Sequence, residues 1–281
     1  MRRTIIALAL SVAALVAAPV PAAEAADRPL TPREIYKTYA KSVVLVFATD
    51  GSARGSAGTG SIITDEGHVL TNAHVVAPKK RRAAKVFVYI KPDQIRGSTK
   101  FDLKDRRAAT LIDLDHDLDL ALLKIVDPPD ELVAIPFAES ARVEVGEPVV
   151  AIGHPETGGL WTLTTGSVST IIADFQGIDG KDVFQTEASV NRGNSGGPLL
   201  NAYGQLVGVN TSISRKASDG LAITDINFSL KASVAKRWME KRKLLRVAYA
   251  SPRTLDARAL AMAGISASPP AMVAAADPPP E

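Results

Sequence analysis

The chain has 281 residues, 46% hydrophobic and 22% charged, with a net charge of +3 and no cysteine. That composition is globular, so a collagen-like, low-complexity or disulfide-stapled chain is excluded. The balance of 33 basic against 30 acidic residues also excludes a nucleic-acid footprint spread over the molecule.

Arg2 and Arg3 precede the apolar run TIIALALSVAALVAA, and Ala23-Glu24-Ala25 follows it. A basic start, an apolar middle and an A-x-A site predict a cleaved export signal over residues 1–25. The run is short for a bilayer span. The mature chain is therefore expected to be periplasmic or secreted, with no stable membrane span. In the next segment, residues 26–41, Thr31 and Glu34 stand at capping-box spacing and Pro32 at the first helical position, which predicts a short helix ending near Lys41. The runs SVVLVFA (42–48), GSIIT (60–64), HVLTNA (68–73), KVFVYI (85–90) and LDLALLKI (118–125) then read as short strands between turn signals. The basic run KKRR at 79–82 reads as a solvated loop rather than a phosphate or lipid patch.

DPPD at 127–130 is a rigid polar break. A second set of strand-like runs follows: EPVVAIG (147–153), WTLTTGSVST (161–170), DVFQTEA (182–188), PLLN (198–201), QLVGVNTS (205–212) and INFSL (226–230). Two blocks of similar length predict an all-β chain with one barrel over 42–126 and another over 131–230. KASVAKRWMEKRKLLRV (231–247) reads as a helix, with Leu230, Val234, Trp238 and Leu245 on one face. Residues 248–281 are rich in Ala and Pro and read as a mostly unstructured tail, with room for a short helix near 254–263.

The stretch NRGNSGGPLLN (191–201) crowds glycines around Ser195. It is either a plain turn entering a strand or a sharp bend that exposes one hydroxyl beside free N–H groups. A serine needs a base to become a nucleophile, and the chain offers His68, His74, His116 and His154. His74 ends an apolar strand where the chain turns. His68 reads as a solvated strand residue, and the Gly and Pro of AIGHPETGG account for His154 without a function. His116 lies in the acidic run DLDHDLDL. Asp113, Asp115 and Asp117 match the first ligand spacings of a calcium loop, but Leu118 and Lys124 stand where it needs Gly and Glu, so no metal is expected. Asp119 leads the strand LALLKI, either as a solvated strand start or as the group that orients an imidazole.

The blocks GTGSIITDEGHVLTNAHVV (58–76), DLALLKI (119–125), VVAIGHP (149–155), FQTEASVNRGNSGGPLLNAYGQLVGVNTSI (184–213) and INFSL resemble, in order, the protease domain of the HtrA (Deg) family of chymotrypsin-like serine proteases. The resemblance implies a chymotrypsin-like double β-barrel with short N- and C-terminal helices and a cleft between the barrels. It implies a catalytic triad of His74, Asp119 and Ser195, and an oxyanion hole built from the N–H groups of Gly193 and Ser195. By the same resemblance, Asn210, Thr211 and Ser212 would pair with a substrate backbone, and Ser189, Val190, Asn191 and Phe228 would form the side-chain pocket. That pocket contains no acid and no histidine, which argues against trypsin-like or glutamyl specificity and for a small or medium aliphatic residue.

The expected activity is endopeptidase action on unfolded or damaged polypeptides, with no cofactor and no nucleic-acid partner. A homotrimer is the assembly the resemblance allows. The competing reading is a weakly active or non-catalytic, chaperone-like peptide binder on the same fold. The chain departs from the family pattern in three places. Too few residues follow 247 for the PDZ domain usual in the family, Asn227-Phe228-Ser229-Leu230 replaces GFAI, and the region between Val76 and Asp119 is longer and more basic. Asn194 precedes the serine where digestive relatives carry an aspartate, so activation by a freed N-terminus is not expected.

Overall fold

The computed structural model describes residues 28–52, 55–211, 227–251 and 256–265. The export-signal reading, Ser212 and residues 266–281 lie outside the described residues. The first helix, α1 (Pro32–Tyr39), starts on a complete capping box: Glu34 N–H donates to Thr31 Oγ1, and the Glu34 carboxylate accepts from the Thr31 N–H. Hydrogen bonds from the Arg28 guanidinium hold the Glu34 carboxyl down at about 2.

Six antiparallel strands form the first barrel: β1 (Val43–Thr49), β2 (Gly55–Ile62), β3 (His68–Thr71), β4 (Lys85–Tyr89), β5 (Arg106–Asp115) and β6 (Leu120–Ile125). They close in the order β1-β2-β3-β6-β5-β4. Two one-turn helices interrupt them, α2 (Ala73–Val76) and α3 (Thr99–Asp102). The second barrel, β7 (Pro148–Gly153), β8 (Thr162–Ile172), β9 (Val183–Thr186), β10 (Pro198–Asn201), β11 (Leu206–Thr211) and β12 (Asn227–Lys231), closes as β10-β11-β12-β9-β8-β7.

Side chains alternate across a strand, so a strand buried on both faces fills two cores. In β6, Ala121, Leu123 and Ile125 point into the first barrel with Val44, Val46 and Val69. Leu120 and Leu122 point the other way and meet Val150, Ile152, Leu200 and Val209 of the second barrel. Both faces are dry, which is why LALLKI reads as a continuous apolar run rather than an alternating one.

Three features differ from the sequence expectation. The first is β5, which no apolar run announces. Its exposed and half-buried residues alternate outside an apolar pattern, and it is recruited by pairing Tyr89 with Arg106 and Asp115 with Leu120. The C-terminal helix α4 (Ala232–Lys241) stops well short of residue 247, because Lys243 takes a left-handed conformation and Leu244 N–H turns back to the Met239 carbonyl. Leu244, Leu245 and Val247 still pack on the core between the barrels, but from outside the helix. The third is the start of the tail, where the composition predicts little structure. Tyr249 forms a parallel bridge to Phe137, whereas α5 (Ala257–Met262), which buries Ala259 and Leu260, lies where the sequence leaves room for a short helix.

The acidic run 113–119 joins the halves. Arg242 donates to Asp113 at 3.1 Å and Asp115 at 3.0 Å, and Lys181 Nζ donates to the Asp117 carbonyl at 2.6 Å. Both cations come from the second half of the chain. We expect Arg242→Ala to cost about 1 kcal/mol, given the partial exposure of the pair. A thermal melt should then move down by roughly 2–4 °C.

Candidate active site

Asp119 stands immediately before β6 with φ +58°, a conformation that few residues other than glycine adopt and that Asp tolerates better than most. The turn before it is shaped by Asp115, whose Oδ1 accepts from the N–H groups of Asp117 and Leu118. From this bend the Asp119 carboxylate faces α2. Its Oδ1 accepts from the His74 backbone N–H at 3.0 Å, and its Oδ2 accepts from His74 Nδ1 at 2.8 Å. Asn72 Nδ2 donates to the Asp119 carbonyl at 2.8 Å, so the residue is held through main chain and side chain together. Oδ1 fixes the backbone of His74 while Oδ2 fixes its ring and its tautomer. The imidazole is half exposed and lines a cleft of about 380 Å³ with Leu118, Phe175 and Lys181.

Ser195 comes from the other barrel, on the loop before β10. Gly193 and Gly196 take φ +95° and +85°. A Cβ on Gly193 would run into the His154 carbonyl, and one on Gly196 would run into Thr71 Oγ1 and the Thr59 carbonyl. These glycines are therefore demanded twice, by conformation and by close approach. The same contacts place the serine loop against Thr71 and Asn72, just before His74. Thr59 N–H donates to the Ser195 carbonyl at 2.8 Å, and Gly58 sits between Val75 of α2 and that carbonyl.

The other residues singled out from sequence fall in different roles. Thr211 donates its hydroxyl to Asp119 Oδ2 at 3.3 Å, so its side chain faces the carboxylate. Asn210 faces the interior of its own barrel. It is fully buried, its N–H donates to Gly197, its carbonyl accepts from Gly196, and its amide bonds Pro198 and Ser229. Ser189 is half-buried, Asn191 is exposed and donates to Ser189 Oγ at 3.2 Å, Val190 is buried, and Phe228 packs on Phe175 with ring centroids 4.5 Å apart.

Sequence reasoning misses two residues that carry the site. Thr59 lies in Gly-Thr-Gly inside a strand, and glycines in a strand interior signal close approach of another backbone. His154, which reads from sequence as an incidental turn residue, is buried, with its ring edge-on to Trp161 and its Nδ1 3.0 Å from Thr59 Oγ1. Burial alone pushes its imidazole down to about 3.

Comparison with known proteins agrees with this geometry. Residues 58–209, more than half the chain, match the family model of the trypsin-like peptidase domain. The chain is 38% identical over 180 residues to a probable periplasmic serine endoprotease DegP-like of Rhizobium meliloti (strain 1021), covering 64% of this chain and 32% of that protein. It is 38% identical over 181 residues to the periplasmic pH-dependent serine endoprotease DegQ of Escherichia coli (strain K12), covering 64% and 35%. Among solved structures, the HtrA-type protease AlgW with tripeptide superposes with a TM-score of 0.61 at 29% identity, over 75% of this chain and 63% of that one. The chain thus spans about a third of the length of the curated relatives it matches. With two closed barrels, a histidine bonded to a carboxylate in one and a glycine-bent serine loop in the other, the chain belongs to the trypsin-like peptidase family, as a protease domain of the HtrA type.

Proposed function

We propose that the protein is an exported serine endopeptidase that hydrolyses peptide bonds in unfolded or damaged polypeptides. The observation that carries the reading is the 2.8 Å bond from His74 Nδ1 to Asp119 Oδ2, next to a serine loop bent by two positive-φ glycines. With Nδ1–H committed to the carboxylate, His74 keeps Nε2 as a base. Ser195 Oγ attacks the peptide carbonyl while its proton passes to His74 Nε2. The oxyanion is met by backbone N–H groups of Gly193 and Ser195, and the imidazolium returns the proton to the leaving amine. Water then enters in the same way and frees the acyl group from Ser195.

Extended chains reach an open cleft between barrels more readily than folded ones, which motivates the unfolded substrate class. Ser189, Val190, Asn191 and Phe228 bring no fixed charge to the side-chain pocket, which supports cleavage after small or medium aliphatic residues. Export rests on the pattern of residues 1–25, and the relatives' names include periplasmic proteases. No helix among the described residues is long and apolar enough to cross a membrane.

The test is labelling with a fluorophosphonate followed by peptide mapping, beside a casein-degradation assay. The expected result is a label on Ser195 and casein cleavage that the label abolishes. A protein that takes no label and leaves casein whole would instead be a peptide-binding relative on the same fold.

A further inference from the structure

Gly193 carries the oxyanion donor assigned above, so the orientation of its peptide decides whether the site can work. Peptides next to glycine turn easily, because no Cβ restricts them. The Arg192 carbonyl accepts from the Glu156 N–H at 2.8 Å. In a trans peptide the N–H points opposite to the carbonyl, so this bond aims the Gly193 N–H away from residue 156. Among the described residues no group accepts from that N–H. The next carbonyl, of Gly193 itself, accepts from Thr59 Oγ1 at 2.6 Å. The loop is thus hooked on both sides of Gly193, and one hook is a side chain from the opposite barrel.

The chemistry of that side chain is fully used. A threonine hydroxyl has one proton and two lone pairs. The proton goes to the Gly193 carbonyl, which can only accept. The two remaining neighbours, the His154 N–H at 3.2 Å and His154 Nδ1 at 3.0 Å, must therefore both donate. This assigns the ring proton to Nδ1 and leaves Nε2 bare. Nε2 is buried with no hydrogen-bond partner among the described residues, as suits an unprotonated nitrogen beside Trp161. His154 thereby aims the Thr59 proton at the loop.

We propose that the Thr59 hydroxyl, oriented by His154, is a positioning group that holds the Gly193 peptide ready to donate to the oxyanion. It acts through Gly193 and touches no substrate. The proposal rests on the peptidase reading for its kinetic consequence, but not for its structural one.

The experiment compares Thr59→Val and Thr59→Ser by steady-state hydrolysis of a quenched peptide taken from a casein cleavage site, by crystallography, and by the downfield NMR signal of the proton between His74 and Asp119. Complete loss of an oxyanion donor costs ~100- to 1,000-fold. Loosening one should lower kcat by roughly 10- to 100-fold in Thr59→Val, with KM within about threefold of wild type. Thr59→Ser keeps the hydroxyl and should restore kcat. The downfield signal should not move, and the Arg192–Gly193 peptide should be turned in the Thr59→Val crystal structure. If Thr59→Val fails to fold, Thr59→Ala is read by the same criteria. An unturned loop in the variant overturns the proposal, as does a kcat that Thr59→Ser leaves as low as Thr59→Val does. If the wild-type protein cleaves no peptide, the peptidase reading fails, and the orientation of the loop in the variant crystal still decides this proposal.

Discussion

Asp119→Asn should lower kcat/KM by about 10,000-fold at neutral pH while leaving the fold intact. The fold survives because asparagine tolerates the left-handed backbone at φ +58° at least as well as aspartate does. The rate falls because of how an amide must sit there. Asp119 Oδ1 accepts from the His74 backbone N–H, which is a donor in every state of the protein. The amide oxygen of asparagine has to take that place, since an NH2 group would face an N–H. The NH2 group then replaces Oδ2 opposite His74 Nδ1. Nδ1 can meet it only as an acceptor, so the ring proton moves to Nε2, the atom that must receive the Ser195 proton. Thr211 adjusts by rotating its hydroxyl to accept. Steady-state hydrolysis of a peptide substrate and a thermal melt check both halves. A loss under tenfold, with an unchanged melt, would show that this carboxylate does not control the imidazole.

What can be read from the sequence follows the range of the forces involved. Ser195 is legible because the chemistry needs glycine at fixed neighbouring positions, and glycine at 193, 196 and 197 leaves a local trace. Most of the strands are legible because burial on two faces turns them into apolar runs. β5 leaves no such trace, since Leu111, Ile112 and Leu114 stand among alanines, a threonine and charged residues, only Leu114 of them is buried, and the strand's place is set by closure of the barrel. The end of α4 is hidden because Lys243, not a glycine, takes the left-handed turn. The burial of Asn210 is hidden because its bonds to Pro198 and Ser229 depend on how three strands meet. Arg242 and Asp113 are 129 residues apart, and no local pattern announces such a pair. Thr59 and His154 are the instructive case. Each is unremarkable alone, and their use appears only when one hydroxyl is required to satisfy three partners at once.

The same buried ring should set an acid limit on the fold. In the folded protein His154 accepts a second proton only near pH 3, because burial excludes the charged form and no neighbouring charge offsets that cost. In the unfolded chain an imidazole does so near 6.5. Between those values the unfolded state binds the extra proton and the folded state does not, so stability falls as pH falls. The full contribution is present above pH 6.5 and is lost progressively down to about pH 3, at close to 1.4 kcal/mol per pH unit over most of that window. At pH 4.5 the loss should be about 3 kcal/mol. Carboxylates held low in the fold, such as Glu34, also weaken in acid, so the comparison must isolate His154. His154→Asn does this, since its amide can still donate toward Thr59 but cannot titrate. Urea unfolding at about pH 7.5 and about pH 4.5 should show wild type losing about 3 kcal/mol more than the variant across that interval. Equal losses would mean that His154 is protonated in the fold without cost. A second proton taken up without cost would need an acceptor at Nε2, which none of the described residues supplies.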